Sequence, residues 1–203
     1  DATGSGSIDY RLPAIEASGV TMNIAITYDP AAEAAAPTEG GVSATSYSGQ
    51  AAVIEMSHES GLSFGAGIEQ VDDGGLAAGA GTSGDTERVT GYVKYAMGGL
   101  SVGYQEAYNN PVHRNGVEGA DQDATFMGIA YTSGDLSFSY AESTLDSKAT
   151  SDANLAEIEL DSIQAAYSMG AMTVSAARTE TSNTGGVAGE SAEETQVSVS
   201  FAF

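Results

Sequence analysis

Apolar and small polar residues alternate through most of this chain, a period of two that predicts strands with two chemically different faces. Over 20–29, Val20, Met22, Ile24, Ile26 and Tyr28 share one face, and Thr21, Asn23, Ala25 and Thr27 the other. Leu62, Phe64, Ala66 and Ile68 likewise oppose Ser63, Gly65, Gly67 and Glu69, and Leu136, Phe138 and Tyr140 oppose Ser137 and Ser139. Read along the whole chain, the pattern places eleven strands, over 7–12, 20–29, 47–59, 62–71, 87–97, 100–108, 123–132, 136–144, 157–169, 172–180 and 193–203.

The connections fall into two kinds that alternate. Short ones lie at Pro13 to Gly19, Ser60-Gly61, Gly98-Gly99, Ser133-Gly134-Asp135 and Gly170-Ala171. Long ones, rich in Gly, Ala and acid, run over Pro30 to Ser46, Asp72 to Thr86, Asn109 to Gln122, Leu145 to Ala156 and Thr181 to Ala192. Tyr95, Tyr131, Tyr167 and Phe203 each end a run, and each stands thirty-six residues after the one before. That interval is a hairpin repeat. The polar faces are small and hydroxylic, whereas a barrel with a dry interior needs bulky inward residues to fill it. Alternation of this kind, with short turns at one end and long loops at the other, predicts an all-β, antiparallel, up-and-down transmembrane barrel with a water-filled lumen, here a single domain over 1–203. No run approaches the length of a transmembrane helix, which leaves strands as the only way across a bilayer.

On that reading the aromatics form two levels. Tyr95, Tyr131, Tyr167 and Phe203 fall at the turn end, and Tyr28, Tyr104 and Tyr140 at the loop end, as two interfacial girdles. Ile158 and Leu160 are out of phase with Ile163, Ala165, Tyr167 and Met169, which predicts either a bulge near Asp161-Ser162 or a strand top above the membrane. Arg178 falls on the apolar phase and belongs near the outer rim.

Charge narrows the partners. The formal net charge is −22, from 28 acidic against 6 basic residues, a surface that repels nucleic acid. Cys and Trp are absent.

The series SGSIDYRLPAIEASGVTMNIAITYDP, the repeated hairpins and the terminal FAF together resemble the C-terminal portion of the trimeric, sixteen-stranded bacterial outer-membrane porins, alphaproteobacterial type. The resemblance implies that the eleven strands are strands six to sixteen, that 1–6 is the tail of a pore-constricting loop, and that the barrel is N-terminally incomplete. It also implies an outer-membrane location among lipid and lipopolysaccharide, a homotrimer, and assembly by the barrel-assembly machinery reading Phe201 and Phe203. The expected function is passive diffusion of ions and small hydrophilic solutes, without catalysis or a required cofactor.

The candidate pore-lining residues are the ionisable groups on the polar phase: Asp9, Arg11, Glu55, Glu69, Arg88 and Lys94. By resemblance Arg11 is the best placed to face the constricting loop; its bland alternative is an ion pair with Asp9 or another wall carboxylate. The acidic stretches Asp72-Asp73, Glu118 with Asp121 and Asp123, and Asp146 with Asp152 offer oxygen ligands for loop-bound calcium, but no EF-hand or nonapeptide repeat accompanies them. An acidic surface adhesin or calcium-binding β-domain is the rival reading. A barrel hydrolase is a further one, with only His58 and His113 as bases.

Overall fold

Twelve strands, all antiparallel, form a single sheet in the computed structural model, which describes residues 7–34, 46–71, 85–110, 121–148 and 155–202. They are β1 (Ile8–Arg11), β2 (Ile15–Ala17), β3 (Val20–Ala34), β4 (Ser46–His58), β5 (Leu62–Val71), β6 (Thr86–Met97), β7 (Leu100–Asn110), β8 (Asp121–Ser133), β9 (Leu136–Lys148), β10 (Ile158–Met169), β11 (Met172–Ser182) and β12 (Ser191–Phe201). From β3 onward each strand pairs with its neighbours in sequence, an up-and-down meander. The sheet is open: among the described residues β1 and β2 at one edge and β12 at the other are paired on one side only.

The twelfth strand comes from a break. β1 and β2 both pair with β3, so the predicted strand over 7–12 continues past an interruption at 12–14, and Ile15–Ala17 within the predicted turn from Pro13 to Gly19 is strand. Pro13 has no N–H to give the ladder, which splits the strand in two. Leu12 still donates its N–H to the Ile24 carbonyl, at 3.0 Å. The true reversal lies at Ser18 and Gly19, both at positive φ.

The 36-residue repeat has a structural cause. The turns at 98–99, 134–135 and 170–171 are two-residue hairpins whose first central residue, a glycine, has φ near 60°: 57° at Gly98, 56° at Gly134 and 61° at Gly170. Each turn also docks on the next hairpin. Ala96 donates its N–H to the Gly61 carbonyl, Thr132 to Gly99, Ser168 to Asp135 and Ala202 to Ala171, at 2.8 to 2.9 Å. The approach is close enough that a Cβ on Gly99 would stand 2.0 Å from the Thr132 carbonyl oxygen.

Two further expectations change. β10 keeps unbroken register with β9 and β11 through Asp161 and Ser162, so no bulge exists there, and Ile158 and Leu160 sit on the polar phase opposite Leu145 and Ser143. The loop-side ends of several strands also reach further than the alternation does, to Asn110, Lys148 and Ser182. The register of β3 with β4 shifts once, between Asp29 and Glu33, around Pro30.

Candidate functional site

A single-layer sheet has no interior of its own. Val71 is the only buried hydrophobic side chain among the described residues. The other large apolar side chains are half-buried or exposed, and the ladder pairings show how the exposed ones are sorted. Every exposed large hydrophobic within a strand stands on the same face as Ile26 and Phe138, with two exceptions, Val53 and Phe126. The opposite face carries the Ser, Thr, Gly, Ala and ionisable residues. An exposed apolar surface this continuous far exceeds the few hundred Å² of an ordinary soluble monomer.

The apolar residues form a band that crosses the hydrogen-bond ladder obliquely. One ladder row starts at Leu62, the foot of β5, and runs through Tyr95, Val102, Ile129, Tyr140 and Ile163 to Arg178. Arg178 lies six residues above Met172, the foot of β11. A rise of about 20 Å along the strand across about 29 Å of sheet is a strand tilt of about 35°, inside the range of closed barrels, about 35–45°. On β6 the apolar phase runs from Val89 to Met97, about 22–25 Å once tilted, close to the height of a lipid-facing band. On β9 it ends sooner, at Tyr140. There the row Glu142, Asp161, Glu180 and Glu193 caps it.

Tyr28, Tyr95, Tyr104, Tyr131, Tyr140 and Tyr167 all stand on the apolar face. Tyr131 pairs with Leu100 and Tyr167 with Leu136, the first residues after their turns, and Tyr95 pairs with Leu62. Tyr95, Tyr104 and Tyr140 have hydroxyl partners on their own or the neighbouring strand. Tyr104 donates to Glu106, and Tyr140 to Asp161 and to Glu142 (3.1 Å), all towards the loop side, whereas Tyr95 reaches Met97 Sδ (3.1 Å) towards the turn side. An apolar ring body with a hydrogen-bonded polar tip suits an interface. Tyr28 lies level with Ile8 near the loop side. Phe201 is 58% exposed on the apolar face; Phe203 lies outside the described residues.

All six pore-lining candidates share the polar face. Asp9, Thr27, Ala51, Glu69, Arg88, Asn109 and Gln122 make one continuous row across seven strands. Thr27 donates to Asp9; Arg88 donates to Glu69 (2.9 Å) and to Asn109 Oδ1 (3.2 Å); Asn109 donates to Gln122 (3.1 Å). Arg88 is thus neutralised in place. Arg11 and Lys94, by contrast, make no ion pair with any described residue, so the alternative reading of Arg11, a pair with Asp9 or another wall carboxylate, is not met among them. Glu55 accepts from the Tyr92 hydroxyl at 3.4 Å.

Beyond the band, at the last residue of β9, Lys148 holds Asp123 at 2.8 Å, and that hydrogen bond, with the neighbouring carboxylates, holds the ammonium pKa above its ordinary value. Asp123 and Asp146 are ladder partners, so this part of the calcium expectation lies beside a cation already. Asp72, Asp73, Glu118, Asp152 and His113 lie outside the described residues, and no cluster of metal-binding character occurs among the described ones. His58 belongs to a local turn: its Nδ1 meets the Ser60 hydroxyl at 2.7 Å and accepts the Ser60 N–H at 3.1 Å.

Sequence reasoning missed Phe126. Counting back in steps of two from Gly128 and Ala130 puts it on the polar phase, in one row with Gln105 and Tyr92, but a lone aromatic at a strand's loop-side end draws no notice among small residues. Comparison with protein-family profiles and with curated proteins gives no match to this chain.

Proposed function

We propose that this sheet is the wall of an outer-membrane β-barrel of porin type, its apolar face against lipid and its polar face lining a water-filled channel for ions and small hydrophilic solutes. The observation that carries the reading is the sorting itself: exposed large apolar side chains on one face, in a band tilted about 35° to the ladder, with the Tyr104 and Tyr140 hydroxyls bonded to carboxylates. A water-soluble adhesin has no use for such a band. The porin resemblance adds a trimer in the outer membrane, surrounded by lipopolysaccharide.

The channel prefers cations. Acidic residues crowd the loop-side ends, where they raise local cation concentration within a Debye length, about 8 Å at physiological salt. Arg11 and Lys94 on the wall oppose them without outnumbering them. The test is planar-bilayer recording on folded, heat-modifiable protein. Ohmic conductance with a cation-selective reversal potential, fading as salt rises, is expected. Folded protein that passes no current above background sinks the pore reading; an anion-selective sign at low salt hands control of permeation to the wall cations.

A further inference from the structure

The polar face holds a depression of about 420 Å³ on β6 to β9, within the size range of small-molecule sites. Tyr92, Gln105 and Phe126 form one ladder row at its rim; Lys94, Gly103 and Gly128 form the next row below. Neither glycine is there for its backbone. Both have ordinary strand φ, and a Cβ on either would meet nothing nearer than a carbonyl oxygen, at 3.8 Å for Gly103 and 3.7 Å for Gly128. Side chains would fit at both positions, and they would fill the hollow.

Three chemistries converge on this hollow. Phe126 is 46% exposed on the polar face, at the loop-side margin of the hollow. Tyr92, by contrast, turns its ring the other way, over the bare backbone of Gly65 on β5, with its hydroxyl 3.4 Å from Glu55. Phe126 is therefore the aromatic surface of the hollow. Around it stand hydrogen-bonding groups with capacity to spare: Gln105 spends its amide N–H on Thr90 (3.0 Å) and keeps its oxygen, and the Ser101 and Ser139 hydroxyls line the lower side. Lys94, finally, is a cation with no carboxylate partner among the described residues, in a chain of 28 acids.

Aromatic faces attract the C–H faces of a saturated ring through the ring quadrupole. Hydroxyl and amide groups around them match a polyhydroxylated ring better than an aromatic one. The unpaired ammonium asks for an anion. We infer that the depression is a binding subsite for a monosaccharide ring bearing one carboxylate, a hexuronate, held by Phe126 through its ring face, by Gln105, Ser101 and Ser139 through its hydroxyls, and by Lys94 through its carboxylate. The inference rests on the pore reading, since it needs the polar face to be wet and reachable.

Glucuronate and glucose, added separately during low-salt bilayer recording, test it. Glucuronate is expected to block ion current more tightly than glucose. Phe126→Ser should weaken block by both sugars roughly tenfold, the size of one lost stacking contact. Lys94→Gln should weaken glucuronate block about threefold to fivefold and leave glucose unchanged, an effect that salt screens. Gly128→Val should abolish both blocks while conductance persists, which separates filling of the hollow from loss of fold. Conducting channels blocked by neither sugar overturn the subsite and leave the pore standing, as does an unchanged glucuronate-to-glucose ratio in Lys94→Gln. Saturation-transfer NMR on glucuronate with micelle-folded protein supplies the opposite split: transfer that Phe126→Ser removes, in protein that passes no current, keeps the site and sinks the pore.

Discussion

β9 contains both halves of this molecule in one strand. From Leu136 to Tyr140 its two faces differ sharply, Leu, Phe and Tyr against Ser; from Glu142 to Lys148 one face carries Glu142, Thr144 and Asp146 and the other Ser143, Leu145 and Ser147. The backbone does not change. Both halves pair with β8 without a register shift. On the proposed membrane reading, what changes is the number of media the strand separates. The turn-side half would divide lipid from water, and only there does the side-chain period of two become a chemical alternation. The loop-side half is polar on its former apolar face and carries Leu145 on the other, as a strand does once it has left a bilayer for water.

The strongest way to break this comparison is to place the same charge in both halves on the same face. Val93, 46% exposed, stands in the middle of the apolar run of β6, and Thr144 stands on that face in the loop-side half of β9. Val93→Arg is expected to cost about 2–4 kcal/mol and Thr144→Arg about 0–1 kcal/mol, by urea unfolding in lipid vesicles. Equal costs at the two positions would mean that no apolar phase covers the band, and the membrane reading would fall with it.

The same difference explains what could be read in the sequence. The turn-side half was legible because residue type and face agree there: the hairpin phase, the apolar face of the tyrosines and the glycine turns follow from residue type alone. The loop-side strand ends were not, because backbone hydrogen bonds hold Asn110, Lys148 and Ser182 in strands whose side chains show no alternation. Pro13 shows the opposite failure. A proline in a short polar stretch reads as a turn, yet tertiary pairing of Ile15–Ala17 with β3 carries the strand past it. The out-of-phase Ile158 and Leu160 leave two readings open in the sequence, a bulge or a strand top above the membrane, because alternation alone does not separate them. The unbroken ladder keeps their phase and leaves the change in surroundings as the cause. Among the site residues, phase gave the face of all six ionisable candidates, but not which were paired. That depends on reach across the ladder, as when Arg88 finds Glu69 and Lys94 finds no carboxylate.

A smaller effect sharpens the contrast between tight turns and long connections. Gly98 and Gly189 both have positive φ, 57° and 84°, and a Cβ on either would meet nothing within 4 Å, so alanine tests backbone strain alone. At Gly98 the two-residue turn is fixed by pairing of Met97 with Leu100, and Gly98→Ala should cost about 1–2 kcal/mol. Gly189 lies in the longer link between β11 and β12, tied chiefly by its N–H to Asn183 Oδ1 at 3.0 Å, and can shed part of the strain by shifting. Thermal unfolding of the two variants in the same lipid decides. A cost at Gly189 equal to or above that at Gly98 would make the loop side as rigidly set as the turn side.

The smallest effect concerns an arginine the protein already carries on its apolar phase. Arg178 lies in the row that begins at Leu62, and by β11 the tilt has lifted that row out of the band, to where Glu193 lies 2.9 Å and Glu180 3.6 Å from the guanidinium. The three side chains are each 54% exposed, so water screens the attraction and the pairs contribute little. Arg178→Met should therefore lower stability by only about 0.2–1 kcal/mol, and raised salt should shrink the difference. Some loss is expected rather than none, because Glu180 and Glu193 would then repel each other and Glu142 and Asp161 along the same row. If the variant instead gains stability, as it would were position 178 inside the apolar phase, the rim has been placed too low and the tilt that lifts this row is wrong. A salt-independent loss above about 2 kcal/mol would contradict the placement from the other side, by making the pair a buried one.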